Sequence, residues 1–254
     1  MEHATQRPSR GRGRVNRLSR LALAAVLLGG LLAGLLGAAL ASVDAGLRLV
    51  DQGDFDGALA AFEEAVASDV NDARAHYLLA RAAVYAAGAL PEGDDEARVA
   101  LFQRAADAAQ RATRLAPDDA AAHFEVARAL GRLAQYRGVL QSLNLASRVS
   151  NSLDRTLELD PEHAGAWHAL GIFHHDVPWI AGGRGGLVVP SFERAVAIEP
   201  DEIAHRLAFA RVLLDRGDEV RALEHLRVAV TLRVSTYLDR QDLQAARELL
   251  AEVE

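Results

Sequence analysis

Hydrophobic and polar positions along this chain fall into two regimes. The first is an unbroken apolar run, Leu21 to Val43, that carries no charge and is rich in Leu, Ala and Gly. As a helix it would rise about 1.5 Å per residue and reach roughly 34 Å, enough to cross a hydrocarbon core of about 30 Å. After Asp44 the pattern becomes amphipathic, with apolar residues at helical spacing and short Gly-Asp or Asp-Pro breaks between segments. Strand formers never alternate over a long run, so the pattern predicts an all-α protein.

Within the second regime the sequence repeats itself. Gln52-Gly-Asp-Phe-Asp-Gly-Ala-Leu-Ala-Ala-Phe-Glu-Glu-Ala-Val and Arg216-Gly-Asp-Glu-Val-Arg-Ala-Leu-Glu-His-Leu-Arg-Val-Ala-Val follow one template. A Gly-Asp turn leads into a helix carrying a small, a large and a small residue: Ala58, Phe62, Ala65 in one and Ala222, Leu226, Ala229 in the other. Three segments end alike, at Thr113-Arg-Leu-Ala-Pro117, Leu157-Glu-Leu-Asp-Pro161 and Val196-Ala-Ile-Glu-Pro200, and each Pro precedes a new amphipathic run. Pro stops a helix because it lacks the N–H that would continue the ladder. Ala164-Gly-Ala-Trp167-His-Ala-Leu170-Gly171 is the clearest opening helix of a unit, and Gly46, Ala80, Ala127 and Ala210 stand where Gly171 stands. Antiparallel helices approach closely only at such small residues, beside which the large residue of the second helix finds its hole.

These residues resemble the tetratricopeptide repeat family, with His174 where that family prefers Tyr. The resemblance implies a helix-hairpin solenoid of about five units, at 39–72, 73–117, 118–161, 162–200 and 201–234. A capping helix from about Asp239 to Val253 would follow, and one hydrophobic helix would precede the units. It also implies a groove, read by side chains of the first helices, that binds other proteins or peptides. Groove candidates are Arg74, His76, Arg81, His123, Glu125, Arg128, Trp167, His168 and Arg206. Units two to four carry extra residues: a loop at Gly88 to Asp95, a long polar helical stretch from Gln135 to Ser152, and Val177-Pro-Trp-Ile-Ala-Gly-Gly-Arg-Gly-Gly186. This last insert, with Phe192-Glu-Arg-Ala195 after it and Ala246-Arg-Glu-Leu-Leu250 at the end, resembles the periplasmic component of some tripartite ATP-independent transporters. It also resembles microtubule-regulator-type tetratricopeptide proteins. Trp179 and Arg184 join the candidates, Trp179 either as a partner anchor or packed inside its own loop.

Charge sets the topology. Residues 1–20 hold six Arg against Glu2, a local +5, which leaves −12 for the rest of a chain of net charge −7. The basic leader is expected to stay cytoplasmic, with residues 21–43 as a membrane anchor and 44–254 as a periplasmic solenoid on the inner membrane. Ala39-Leu40-Ala41 before Ser42 also fits a cleavable signal peptide, which would release the solenoid into the periplasm. So acidic a body repels phosphate backbones, which argues against nucleic acid.

Composition narrows the chemistry further. With no Cys there is no disulfide, thiolate or Cys-ligated metal, and with all 28 basic residues Arg there is no Schiff-base Lys. His163, His168, His174, His175 and Asp176 cluster in sequence, but on one helix His168 and His175 share a face while His174 points about 100° away. Asp94, Asp95, Glu96, Asp118 and Asp119 fit helix capping better than a cation site. Gly182-Gly-Arg-Gly-Gly186 follows no strand and lacks the Lys of a phosphate loop, so a turn between helices is expected. No cofactor, metal or catalytic residue is predicted, and the chain is read as a non-enzymatic scaffold. A transport accessory is the alternative.

Overall fold

A computed structural model describes residues 42–254; the basic leader and the apolar run up to residue 41 lie outside the described residues. Helix α1 takes residues 42–52. It is followed by α2 (Phe55–Ser68), α3 (Ala73–Ala89), α4 (Asp95–Leu115), α5 (Ala120–Ala134), α6 (Val139–Leu159), α7 (Ala164–Asp176), α8 (Val188–Ile198), α9 (Ile203–Asp215), α10 (Glu219–Ala229) and α11 (Tyr237–Val253). Two short 3-10 turns, Trp179–Ala181 and Gly185–Leu187, fill the segment between α7 and α8. None of the described helices is long and apolar enough to cross a membrane. Ser42 and Val43, the last residues of the apolar run, are buried, and Val43 belongs to the first core.

The hairpins form for the reason the repeat suggests. A Cβ on Gly46 would lie 2.6 Å from the Phe62 ring, and one on Gly171 would lie 2.6 Å from the Phe192 ring. These glycines let the second helix press a phenyl ring onto the backbone of the first. The template residues Ala58, Phe62, Ala65, Ala222, Leu226 and Ala229 are all buried. At the Gly-Asp turns, Gly53 (φ 85°) and Gly217 (φ 78°) end one helix in the left-handed region. Asp54 and Asp218 then cap the next, accepting from Gly57 N at 2.9 Å and Arg221 N at 3.3 Å.

First helices pack along one side: α3 on α5, α5 on α7, α7 on α9. In a stacked solenoid the helices that lie closest together form the inner, concave layer, which here includes α3, α5, α7 and α9. Apolar burial divides in two. One core runs from Val43 to Ala181 and the second from Val188 into α11, with the Gly-rich insert between them and α7 shared, as Phe173 faces the first and Ile172 the second.

Two expectations are corrected. The stretch from Gln135 to Ser152 is not one helix: α5 stops at Ala134, 135–138 turn, and α6 starts at Val139. Gly138 is extended (ψ 160°), and the Ser142 hydroxyl takes over the freed carbonyls, donating to Ala134 O at 2.9 Å and Arg137 O at 3.1 Å. The last helix begins two residues before Asp239, because Thr236 and Asp239 form a reciprocal capping box there.

Candidate ligand groove

Four of the sequence candidates hold the turns of the solenoid. Each first helix from α3 on has a capping residue whose side chain accepts a backbone N–H: Asp72, Asp119, His163 and Glu202. Four residues further on stand His76, His123, Trp167 and Arg206. Each returns an N–H to a carbonyl of the preceding turn: His76 Nε2 to Val70 O at 3.0 Å, His123 Nε2 to Pro117 O at 2.9 Å, Trp167 Nε1 to Pro161 O at 2.9 Å and Arg206 Nε to Pro200 O at 2.9 Å. The turn thus closes from both sides, and one N–H of each of these four side chains is already engaged.

Between α3 and α5 lies a fixed charged and aromatic floor. Glu125 is fully buried (0% exposed), and such a carboxylate must be paired. Arg81 Nε donates to its Oε1 at 2.7 Å, and Arg128 Nε lies 3.5 Å from its Oε2. Arg128 Nη1 donates to the Tyr85 hydroxyl at 3.2 Å. The Arg128 guanidinium sits 4.8 Å from the Phe124 ring centre and 5.7 Å from that of Tyr85, while Arg81 lies 6.0 Å from Tyr77. Burial works against the Arg128 cation, but Glu125 and Tyr85 outweigh it and raise its pKa. One turn on, exposed Arg132 has no hydrogen bond or ion pair among the described residues, and desolvation and the Arg128 charge lower its pKa. Exposed Arg74, at the N-terminal end of α3, likewise has no side-chain partner among the described residues, although its backbone N–H meets the Asp72 cap at 2.8 Å.

Hairpins four and five continue the face with neutral histidines. His168 Nδ1 and His205 Nδ1 are 3.0 Å apart, and His205 Nε2 lies 3.1 Å from Glu199 Oε2. The carboxylate accepts from His205 Nε2–H, which leaves His205 Nδ1 to accept from His168 Nδ1–H. Burial, then the charges of His205, Arg128 and Arg132, push the His168 pKa down to about 3. Burial also lowers His205, against the pull of Glu199. The sequence cluster of histidines disperses. His163 Nδ1 accepts from Ala166 N at 3.1 Å, His175 Nε2 faces Asp215 Oδ2 at 3.3 Å, and His174 Nδ1 is buried with no hydrogen-bond partner among the described residues. Among the described residues no three His, Asp or Glu side chains converge as a metal site would require.

The Gly-rich insert is a built turn. Ala181, Gly182 and Gly183 donate to Pro178 O, Trp179 O and Pro178 O at 2.8, 3.1 and 3.1 Å, so those N–H groups are not free for an anion. Gly182 sits at φ 100°, and a Cβ on Gly183 would fall 1.6 Å from Val177 O. Trp179 does not pack inside this loop: it is 84% exposed beside Ile180 at 75%. Arg184 is exposed and its guanidinium has no hydrogen bond or ion pair among the described residues.

Sequence reasoning passed over Tyr77, Tyr85, Phe124 and Arg132. Their signal was present as two equivalent columns at four-residue spacing, Tyr77-Arg81-Tyr85 on α3 and Phe124-Arg128-Arg132 on α5.

Comparison with solved structures places the fold among tetratricopeptide solenoids. TTC0263, a thermophilic tetratricopeptide protein of Thermus thermophilus, matches 85% of this chain and 98% of its own at TM-score 0.67 and 20% identity. MamA from Desulfovibrio magneticus is more distant, with TM-score 0.48 and 18% identity over 77% of this chain and 94% of that one. YrrB, described as a tetratricopeptide protein with an unusual peptide-binding site, has TM-score 0.43 and 16% identity over 82% and 89%. In sequence, the model of the family described as regulator of microtubule dynamics protein 1-3 matches residues 43–180, more than half of the chain, and the chain belongs to that family. The matched stretch coincides with the first hydrophobic core, Val43 to Ala181. A search of curated proteins finds no match.

Proposed function

We propose that this protein is a non-enzymatic scaffold whose inner face docks a carboxylate-bearing peptide segment of another protein. The observation that carries this is the floor of hairpins two and three. Tyr77, Arg81, Tyr85, Phe124 and Arg128 are held by one another around buried Glu125, while Arg74 and Arg132 keep open guanidinium groups in a body of net negative charge. Pre-ordered aromatics offer contact area at low entropic cost, and an unpaired guanidinium offers bidentate hydrogen bonds to a carboxylate. The apolar run 21–43 would anchor the scaffold in a membrane with the basic leader on the cytoplasmic side and the solenoid outside, in a bacterial cell the periplasm. Fractionation with N-terminal sequencing tests that topology and separates an anchor from a cleaved signal.

Docking is tested with a library of 12-residue peptides, in which carboxylate-bearing members are expected to bind. Binding should fall at least 10-fold in Arg132→Ala and weaken with salt. Selection of uncharged or basic peptides, or indifference to Arg132, would refute it. The transport reading rests on the Gly-rich insert, in which the N–H groups of Ala181, Gly182 and Gly183 are engaged within the turn itself. A thermal-shift screen of small carboxylates is its test, and a rise in melting temperature would favour it.

A further inference from the structure

The last helix touches the first hairpin. The Tyr237 ring, which opens α11, meets the Phe55 ring edge-on at 5.8 Å and 78°, and Phe55 meets Tyr85 at 5.5 Å. A Cβ on Gly53 would lie 2.5 Å from Tyr237 Cγ, so the glycine that turns α1 into α2 also makes the seat for this ring. On its own side Tyr237 is steadied by Arg240, 5.7 Å over the ring, and by Gln241 Nε2, which donates to its hydroxyl at 3.0 Å. The other half of α11 belongs to the second core. Ala246 is fully buried, Leu243, Leu249 and Leu250 pack there, and Arg227 holds Glu254 at 2.9 Å. The helix therefore reaches from the last unit to the first.

We infer that α11 is a strap that gates the groove, seated by Tyr237 and released when a ligand enters. The inference rests on the docking reading above and deepens it. Three features make the strap separable from the rest. Its C-terminal half packs in the second core, its N-terminal end reaches the first unit through the Tyr237 ring, and apolar burial divides into two clusters that share α7. Strap and floor also share one residue: Tyr85 supports Phe55 beneath Tyr237, and its hydroxyl accepts from Arg128. A ligand on the floor that shifts the Tyr85 ring loosens the seat, and by reciprocity an unseated strap favours the ligand. The closing contact is small, an edge-to-face aromatic pair beside Gly53, and its loss shifts a two-state equilibrium by on the order of 10-fold.

The full chain has no Cys, so Asp56→Cys with Arg233→Cys, both exposed positions, gives a clean pair of spin-label sites for a pulsed-dipolar distance measurement. With Tyr237 intact, one narrow distance is expected. Tyr237→Ala should add a longer component grown about 10-fold, and Tyr237→Phe, which keeps the ring, should not. An unchanged distribution in Tyr237→Ala overturns the strap, and the Tyr237→Phe variant guards against a folding artefact. Peptides selected on the unaltered chain should bind Tyr237→Ala several-fold more tightly; equal affinity with a changed distance distribution refutes gating. If the distances change and no carboxylate peptide binds either protein, the docking reading fails and the closing contact stands.

Discussion

Glu125 gives the sharpest test of how the inner face is built. Its carboxylate is fully buried, while the side chains of Arg81 and Arg128 keep 31% and 24% of their surface exposed. Removing one partner of a fully buried ion pair costs about 3–5 kcal/mol, chiefly because a charge is stranded without its mate. Here water reaches both arginines in part, so Glu125→Ala should cost about 2–3 kcal/mol, the lost side-chain packing included. Glu125→Gln keeps an acceptor for Arg81 Nε and should cost about 1–2 kcal/mol. The control lies one hairpin away. Glu63 and Arg104 also form an ion pair, but both side chains are more than two-fifths exposed (43% and 44%), and such surface pairs contribute about 0–1 kcal/mol. Urea unfolding at pH 7.5, followed by circular dichroism, should therefore separate Glu125→Ala from Glu63→Ala by at least about 1 kcal/mol. A double-mutant cycle of Glu125→Gln with Arg128→Met should show coupling of about 1 kcal/mol or more. If both glutamates behave alike, or if the cycle is additive, the buried carboxylate is not the ionised hub described here.

Three further outcomes follow from the same geometry. His168 titrates near 3 in the fold against 6.5 when exposed, so the unfolded chain binds the extra proton between those values; stability is complete above about pH 7 and falls as pH drops through 6.5 towards 3. From pH 7.5 to 5.0 this one residue should account for about 2 kcal/mol of loss, and urea titrations of His168→Gln should show a correspondingly shallower pH slope. His163, His174, His205 and His225 are also lowered and add to the fall with the same sign. Gly171→Ala places a methyl 2.6 Å from a Phe192 ring that is itself stacked on Phe209 at 5.1 Å and 8°; thermal unfolding should show a net loss of about 1–3 kcal/mol despite the better helix propensity of Ala, and Phe192→Leu should restore part of it. Trp167→Phe keeps the ring but drops the N–H held by Pro161 O, and the same assay should register about 0.5–1.5 kcal/mol.

The parts of the architecture that depend on neighbours in sequence were open to reading. Gly46 and Gly171, the Ala-Phe-Ala and Ala-Leu-Ala templates and the Pro-terminated helices set each hairpin locally, and the structure places them as the repeat demands. The inner face was only half legible. Arg81, Glu125 and Arg128 stood out as charges on first helices, yet their mutual pairing depends on how far one hairpin is rotated from the next, which no single helix encodes. His76, His123, Trp167 and Arg206 looked like groove residues because they share a helix with that face. Their engagement with a carbonyl six residues earlier shows only once the turn geometry is known. The contact of Tyr237 with Phe55 is beyond any local pattern, since it joins the two ends of the solenoid.

Position within the repeat explains why such different side chains occupy equivalent sites. Four residues after each cap the requirement is one N–H on a long, flat or extended arm, about 3 Å from a fixed carbonyl, and His, Trp and Arg all meet it. His123→Trp should accordingly fold with a stability close to that of the parent, whereas His123→Leu should lose about 1 kcal/mol with the hydrogen bond. One residue further along, no carbonyl dictates the choice, and the side chains diverge: Tyr77 and Phe124 carry the cation-bearing floor, His168 is a neutral link to His205, and Leu207 is core. A ligand lying along this face would therefore meet the cation-bearing aromatic floor at hairpins two and three. Hairpin five presents Arg211 close to Asp242 of α11, so that its cation already has an acid beside it. On the docking reading proposed above, this asymmetry favours the half of the groove that adjoins the seat of Tyr237.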